Sequence, residues 1–181
     1  VSAATPSTLS PRSQGLFEPL PFLEELIDLD KVNRLFPGEF HMNAFNITAS
    51  KMEHFDNVGE NEITFDHVRA AFAMPFFYPP YEMDNGQVYI EGATRDPLSF
   101  GNLKDRVDRA DIKSIVVVDL LDSLDRVLVR EPYDLQDAYA ISVMTPAIAL
   151  AERTLEDLQK SHPEIPINRI KFNITARHDH Q

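Results

Sequence analysis

The residues best placed to do chemistry sit in "YEMDNGQVYIEGATRDP", positions 81–97. Two strand-like runs flank Asn85-Gly86, and the second delivers Glu91 directly into Gly92. Asn-Gly between such runs is the strongest short-range hairpin signal. A carboxylate placed there is either a solvated surface group or one half of an active site. Asp96 either starts a turn by bonding its own backbone or supports a neighbouring site. Arg95 either meets an anion or faces water. The aromatic cluster Phe76, Phe77, Tyr78 and Tyr81 either lines an apolar pocket or serves as core and turn packing.

Other chemistries lack their residues. With no cysteine, disulfides, thiolate nucleophiles and Cys-based metal centres are excluded. The six glycines, at 15, 38, 59, 86, 92 and 101, never bracket a serine as the G-x-S-x-G elbow requires. No phosphate-binding glycine loop and no H-E-x-x-H pattern occurs. His41, His54 and His67 are isolated, and His178 and His180 read as polar residues beside the chain end. Neither a metal nor a cofactor is expected, and the chain presents no recognisable nucleophile.

The elements that must position these groups follow from periodicity. Residues 1–15, rich in Ser, Thr, Pro and Ala, read as an extended lead-in. Phe22, Leu23, Leu26 and Ile27 fall at helical spacing, and Asp30 can cap a second short helix carrying Val32, Leu35 and Phe36. Positions 40–48 carry apolar residues on both faces, which predicts a strand within a sheet. A turn at Ala49-Ser50 leads to a short strand from Met52 to Phe55. Residues 64–74 predict a helix capped by Thr64, with Val68, Ala71 and Phe72 as its stripe and Pro75 as its stop. The β-branched run 112–120 predicts a strand covered on both faces. A helical pattern runs from about 134 to 160, and Thr145-Pro146 inside it is either a kink or the start of a second helix. A final strand is expected in "INRIKFNITA", residues 167–176. Together these give an α/β fold with a mixed sheet flanked by helices.

Bulk properties narrow the partners. A chain of 181 residues can bury a real core as one domain. The net charge of −12, with scattered Lys and Arg, argues against nucleic acid because no basic stripe can release counterions. No apolar run reaches the roughly 18 residues of a transmembrane helix. The first residues have neither a basic nor an apolar signal-peptide region, so a cytoplasmic chain is expected over a secreted one.

The stretch "VRAAFAMPFFYPPYEMDNGQVYIEGATRDP" resembles the C-terminal half of the patatin-like phospholipase domain. Ala70-Ala71-Phe72-Ala73-Met74-Pro75 is similar to that family's helix end, and Tyr78-Pro79-Pro80 to its aromatic–proline segment. Asn85-Gly86 matches its hairpin, Tyr89-Ile90-Glu91-Gly92-Ala93 its acidic motif, and Asp96-Pro97 its Asn-Pro turn. The resemblance covers roughly residues 40–120. It implies a patatin-like sheet and a serine lipid acyl hydrolase working by a Ser–acid dyad, with Glu91 as the acid. It also implies that the serine, its elbow and the oxyanion loop come from a segment corresponding to the family's N-terminal half. That segment would be the partner completing residues 16–181, and the substrate would be a lipid or another ester. Glu91 stands where the family has Asp, adding a carbon–carbon bond of roughly 1.5 Å. A patatin-like fold that has lost catalysis and serves as a binding or scaffolding subunit is the alternative.

Overall fold

Alternation in "HMNAFN" decides the architecture around the site. These residues form β1 (His41–Asn46), a strand with neighbours on both sides. The computed structural model describes residues 15, 17, 23–101, 103, 112–119 and 138–171. Most of the lead-in, positions 134–137 and 172–176, and His178 and His180 lie outside them. The chain is α/β and forms two compact units, Val1–Asn102 and Leu103–Gln181.

In the first unit β1 pairs antiparallel with β2 (Lys51–Asp56) and with β4 (Val88–Glu91), and β4 pairs with β3 (Tyr81–Glu82). The order is β2-β1-β4-β3. Asn85-Gly86 does form the β3–β4 turn. Gly86 carries the positive φ (73°), and its N–H bonds to the Met83 carbonyl at 2.8 Å. Met83 N–H then bonds to the Gln87 carbonyl at 3.0 Å, so one left-handed glycine closes the ribbon.

Helix α2 (Phe65–Phe72) covers one face of this sheet, with α1 (Leu23–Leu26) beside it. Thr64 caps α2 as expected: its hydroxyl accepts from His67 N–H, and His67 Nδ1 accepts from Thr64 N–H in return. The buried stripe is rotated from the expected one. Val68 and Ala70 are buried, whereas Phe72 is 48% exposed. Small residues explain the rotation, since Ala70 and Ala44, both fully buried, let the helix sit close on β1. Val68 packs with Leu23 and Ile63, each worth about 1.5–3 kcal/mol of apolar burial.

The N-terminal helices differ from expectation. α1 is a single turn that leaves Leu26 73% exposed. The next turn, Lys31–Leu35, has π geometry, closed by Phe36 N–H on the Lys31 carbonyl. Asp30 makes no capping bond; Asp28 accepts from Lys31 N–H instead, at 3.2 Å, and pairs with its ammonium.

In the second unit β5 (Ile115–Asp119) pairs parallel with β6 (Ile167–Lys171). The expected mixed sheet is thus two sheets among the described residues, one antiparallel and one parallel. β5 is not covered on both faces: Ile115 and Val117 are buried, while Val116 and Val118 are more than half exposed. A two-stranded ribbon with one packed face alternates in this way. Helix α3 (Thr145–Ser161) follows a π turn, Ala140–Met144. Pro146 lies in the first turn of α3, where the N–H it lacks has no partner to lose, and the wide turn precedes it. Arg169 of β6 grips Glu152 of α3 through two bonds of 2.7 Å, and that guanidinium holds the Glu152 carboxyl below its ordinary value.

Candidate functional site

Glu91 ends β4 opposite Ala44, so its side chain is on the face that α2 covers. Its backbone is fixed on three sides. Glu91 N–H bonds to the carbonyl of Ala73, the C-cap residue just after α2, at 3.0 Å. Its own carbonyl accepts from the Thr94 hydroxyl at 3.1 Å. The chain then turns at once into a short 3-10 helix, Gly92–Thr94. The carboxyl itself meets no hydrogen-bond donor and no cation among the described residues. Burial alone pushes its pKa up from the ordinary value. A half-buried carboxyl with no compensating partner is costly for structure and is common at sites of chemistry.

Gly92 is buried, and its role is steric. A Cβ there would lie 2.3 Å from Asn43 Oδ1 and 3.0 Å from the Asn43 backbone carbon. Asn43 uses the space to donate from Nδ2 to the Asp96 carbonyl at 2.9 Å. The close approach at Gly92 is therefore to β1, and Asn43 is the residue that sequence reasoning missed. Its position on one face of a strand otherwise carrying Phe45 and Ile47 is the signal that could have marked it.

Asp96 is committed to backbone. Its Oδ1 accepts from Phe100 N–H at 3.1 Å and its Oδ2 from Gly101 N–H at 3.2 Å. Arg95 lays its guanidinium over the Phe45 ring, 4.4 Å from the centroid. The aromatic trio divides. Phe77 stacks on Phe17 at 6.3 Å, and Tyr78 meets the same ring at 6.1 Å. Phe76 takes a left-handed φ of 72° and is 64% exposed. The nearby cavity, lined by Leu23, Arg69, Phe72, Ala73, Tyr78, Pro79 and Tyr81, is about 20 Å³, room for one water rather than an acyl chain.

Two further residues went unsuspected. Ser99 has a φ of 53°, and its buried Oγ, like the buried Nδ1 of His54, lacks a partner among the described residues. The His54 ring fills the place a side chain at Gly101 would take. Buried polar atoms of this kind ordinarily hold ordered water. No group of three or more potential metal ligands occurs among the described residues. None of their helices is long and apolar enough to cross a membrane. No protein-family model, curated protein or solved structure matches the chain.

Proposed function

We propose that this chain supplies the acid of a serine–carboxylate dyad in a patatin-like lipid acyl hydrolase, with Glu91 as general base. The nucleophilic serine and the oxyanion donors would come from the polypeptide segment that completes the domain. One observation carries the proposal: the Glu91 carboxyl is partly desolvated and unpartnered among the described residues, on a backbone fixed by Ala73 and Thr94. In the reaction the serine hydroxyl attacks the ester carbonyl as Glu91 takes its proton. That proton passes to the departing alcohol, leaving an acyl-serine. Water then attacks the acyl carbon, Glu91 takes a proton from it, and the serine leaves reprotonated with release of the fatty acid. The pKa that burial raises makes Glu91 a stronger base than an ordinary Glu. Gly92, clamped by Asn43, holds the strand end in register. Phe76, Phe77 and Tyr78 would contribute an apolar wall once the completing segment is in place.

The test is labelling of the assembled protein by a serine-directed fluorophosphonate. Labelling is expected in the wild type and lost in Glu91→Ala, with Glu91→Asp retaining part of it. Undiminished labelling in Glu91→Ala refutes the base assignment. No labelling of the wild type, with ester or lipid binding intact, leaves the non-catalytic binding subunit as the answer.

A further inference from the structure

Asn85 and Gly86 form the only Asn-Gly pair in the sequence, and both are exposed at the tip of the β3–β4 ribbon. Asn85 Oδ1 accepts from Gln87 N–H at 2.9 Å, which folds the side-chain amide over the intervening Gly86 peptide. That bond draws electron density from Cγ and is already in place to stabilise negative charge on Oδ1. The next backbone nitrogen along the chain belongs to a glycine, so no side chain shields it. A Cβ built on Gly86 would meet nothing within 4 Å, which leaves the space beside this residue open. One bond opposes attack by that nitrogen: Gly86 N–H is donated to the Met83 carbonyl at 2.8 Å.

We infer that Asn85 is a self-modification site whose reaction detaches β3 from the sheet and cannot be reversed by refolding. When the Met83 bond opens, the Gly86 nitrogen gives its proton to hydroxide and attacks Asn85 Cγ. The Cγ–Nδ2 bond breaks, the departing nitrogen takes a proton from water, and ammonia leaves behind a five-membered imide. Water then cleaves one of the two imide C–N bonds. Cleavage at Cγ gives aspartate. Cleavage at the Asn85 backbone carbonyl carbon gives isoaspartate, with the main chain now routed through Cγ. In sum one water is consumed, one ammonia is released and one carboxylate is gained. Isoaspartate adds one carbon to the backbone, a bond of roughly 1.5 Å. The turn ties Gly86 N–H to the Met83 carbonyl and Met83 N–H to the Gln87 carbonyl at 3.0 Å, and it cannot take up that length and keep both bonds. β3 is then released together with Met83, which is 8% exposed in a cluster with Ala44, Ala70 and Tyr89. β4 keeps its place, because the Val88 carbonyl accepts from Ile47 N–H at 2.8 Å and Glu91 stays opposite Ala44. Glu91 takes no part in the reaction.

The experiment incubates the full chain in mildly alkaline buffer, folded and in parallel unfolded in guanidinium chloride, with peptide mass mapping of both. In the folded chain Asn85 is expected to deamidate within about tenfold of its unfolded rate, the slowing that one turn hydrogen bond imposes. The isoaspartate form, separated by chromatography, is then compared with fresh protein by hydrogen exchange. Its Met83 and Gly86 amides should exchange about tenfold or more faster, and its Ile47 amide at the original rate. Asn85→Asp carries the new charge without the extra backbone atom and should exchange like wild type. Slowing of the folded reaction beyond about tenfold overturns the inference. So do unchanged Met83 and Gly86 amides in the isoaspartate form, an accelerated Ile47 amide, which would put the damage in the whole sheet, and equal acceleration in Asn85→Asp, which would assign the effect to charge.

Discussion

Replacing Gly92 with alanine tests the steric clamp behind Glu91. The φ of Gly92 lies outside the left-handed region, so the backbone accepts alanine and only space opposes it. The new methyl would sit 2.3 Å from Asn43 Oδ1 and 2.7 Å from Asn43 Cγ. The backbone carbon at 3.0 Å prevents a simple side-chain swing from clearing the overlap. Overpacking of this kind costs about 1–3 kcal/mol. Losing the Asn43–Asp96 hydrogen bond adds about 0.5–1.5 kcal/mol. A stiffer unfolded chain returns about 0.4–1 kcal/mol. The net expectation is a loss of about 0.5–4 kcal/mol, read by urea unfolding. Tyrosine emission suits the measurement, since three of the five tyrosines, Tyr78, Tyr81 and Tyr89, lie in the unit that holds the clamp. Asn43→Ala in the same chain should recover part of the loss, with a coupling of about 1 kcal/mol. A Gly92→Ala protein within about 0.3 kcal/mol of wild type, or strictly additive single variants, would refute the clamp.

Two predictions concern pH. The folded-state pKa of Glu91 is raised, so the penalty for its charged form is absent below the ordinary carboxyl pKa and grows as pH rises through the folded value. Glu91→Gln should therefore be more stable than wild type at about pH 8 and lose that advantage by about pH 3, as urea midpoints at the two pH values would report. His67 has the opposite dependence: burial lowers its pKa, and its neutral Nδ1 accepts from Thr64 N–H. Its contribution is present above the unfolded value of about 6.5 and is lost as pH falls through the folded value. Thr64→Ala should cost about 1 kcal/mol at neutral pH. His67→Ala should flatten the acid limb of the stability profile measured by thermal melts.

Local rules carried much of the first unit. Thr64, Asn85-Gly86, the turn at Ala49-Ser50 and the strand around Ala44 were all legible because each depends on residues a few positions apart. The helix stripe was misplaced because Ala70 and Ala44 choose each other across the layer, and nearest-neighbour periodicity favours the larger Phe72. Local spacing points to Asp30 as the cap, whereas Asp28 is the residue that accepts from Lys31 N–H. At the site, Glu91 and Gly92 stood out in the sequence. Asn43 and Ala73 did not, since their parts come from contacts 53 and 18 residues distant. The Phe76–Tyr78 segment left a pocket wall and core packing open, because the residue that engages two of its rings, Phe17, lies far upstream.

Asn46 deserves a last consequence. It is 1% exposed, its amide donates to Glu53 at 3.0 Å and to Gln87 at 3.1 Å, and its carbonyl oxygen accepts from Ala49 N–H at 2.8 Å. Tyr89 joins the same carboxylate from β4 at 2.8 Å. Sliding β1 by one residue would turn this amide to the opposite face and strand Glu53 and the Tyr89 hydroxyl without it. The sheet thus carries its own proofreading: a misaligned ribbon forfeits a whole polar cluster at once, so the alignment that aims Glu91 is also the one the chain can least afford to miss.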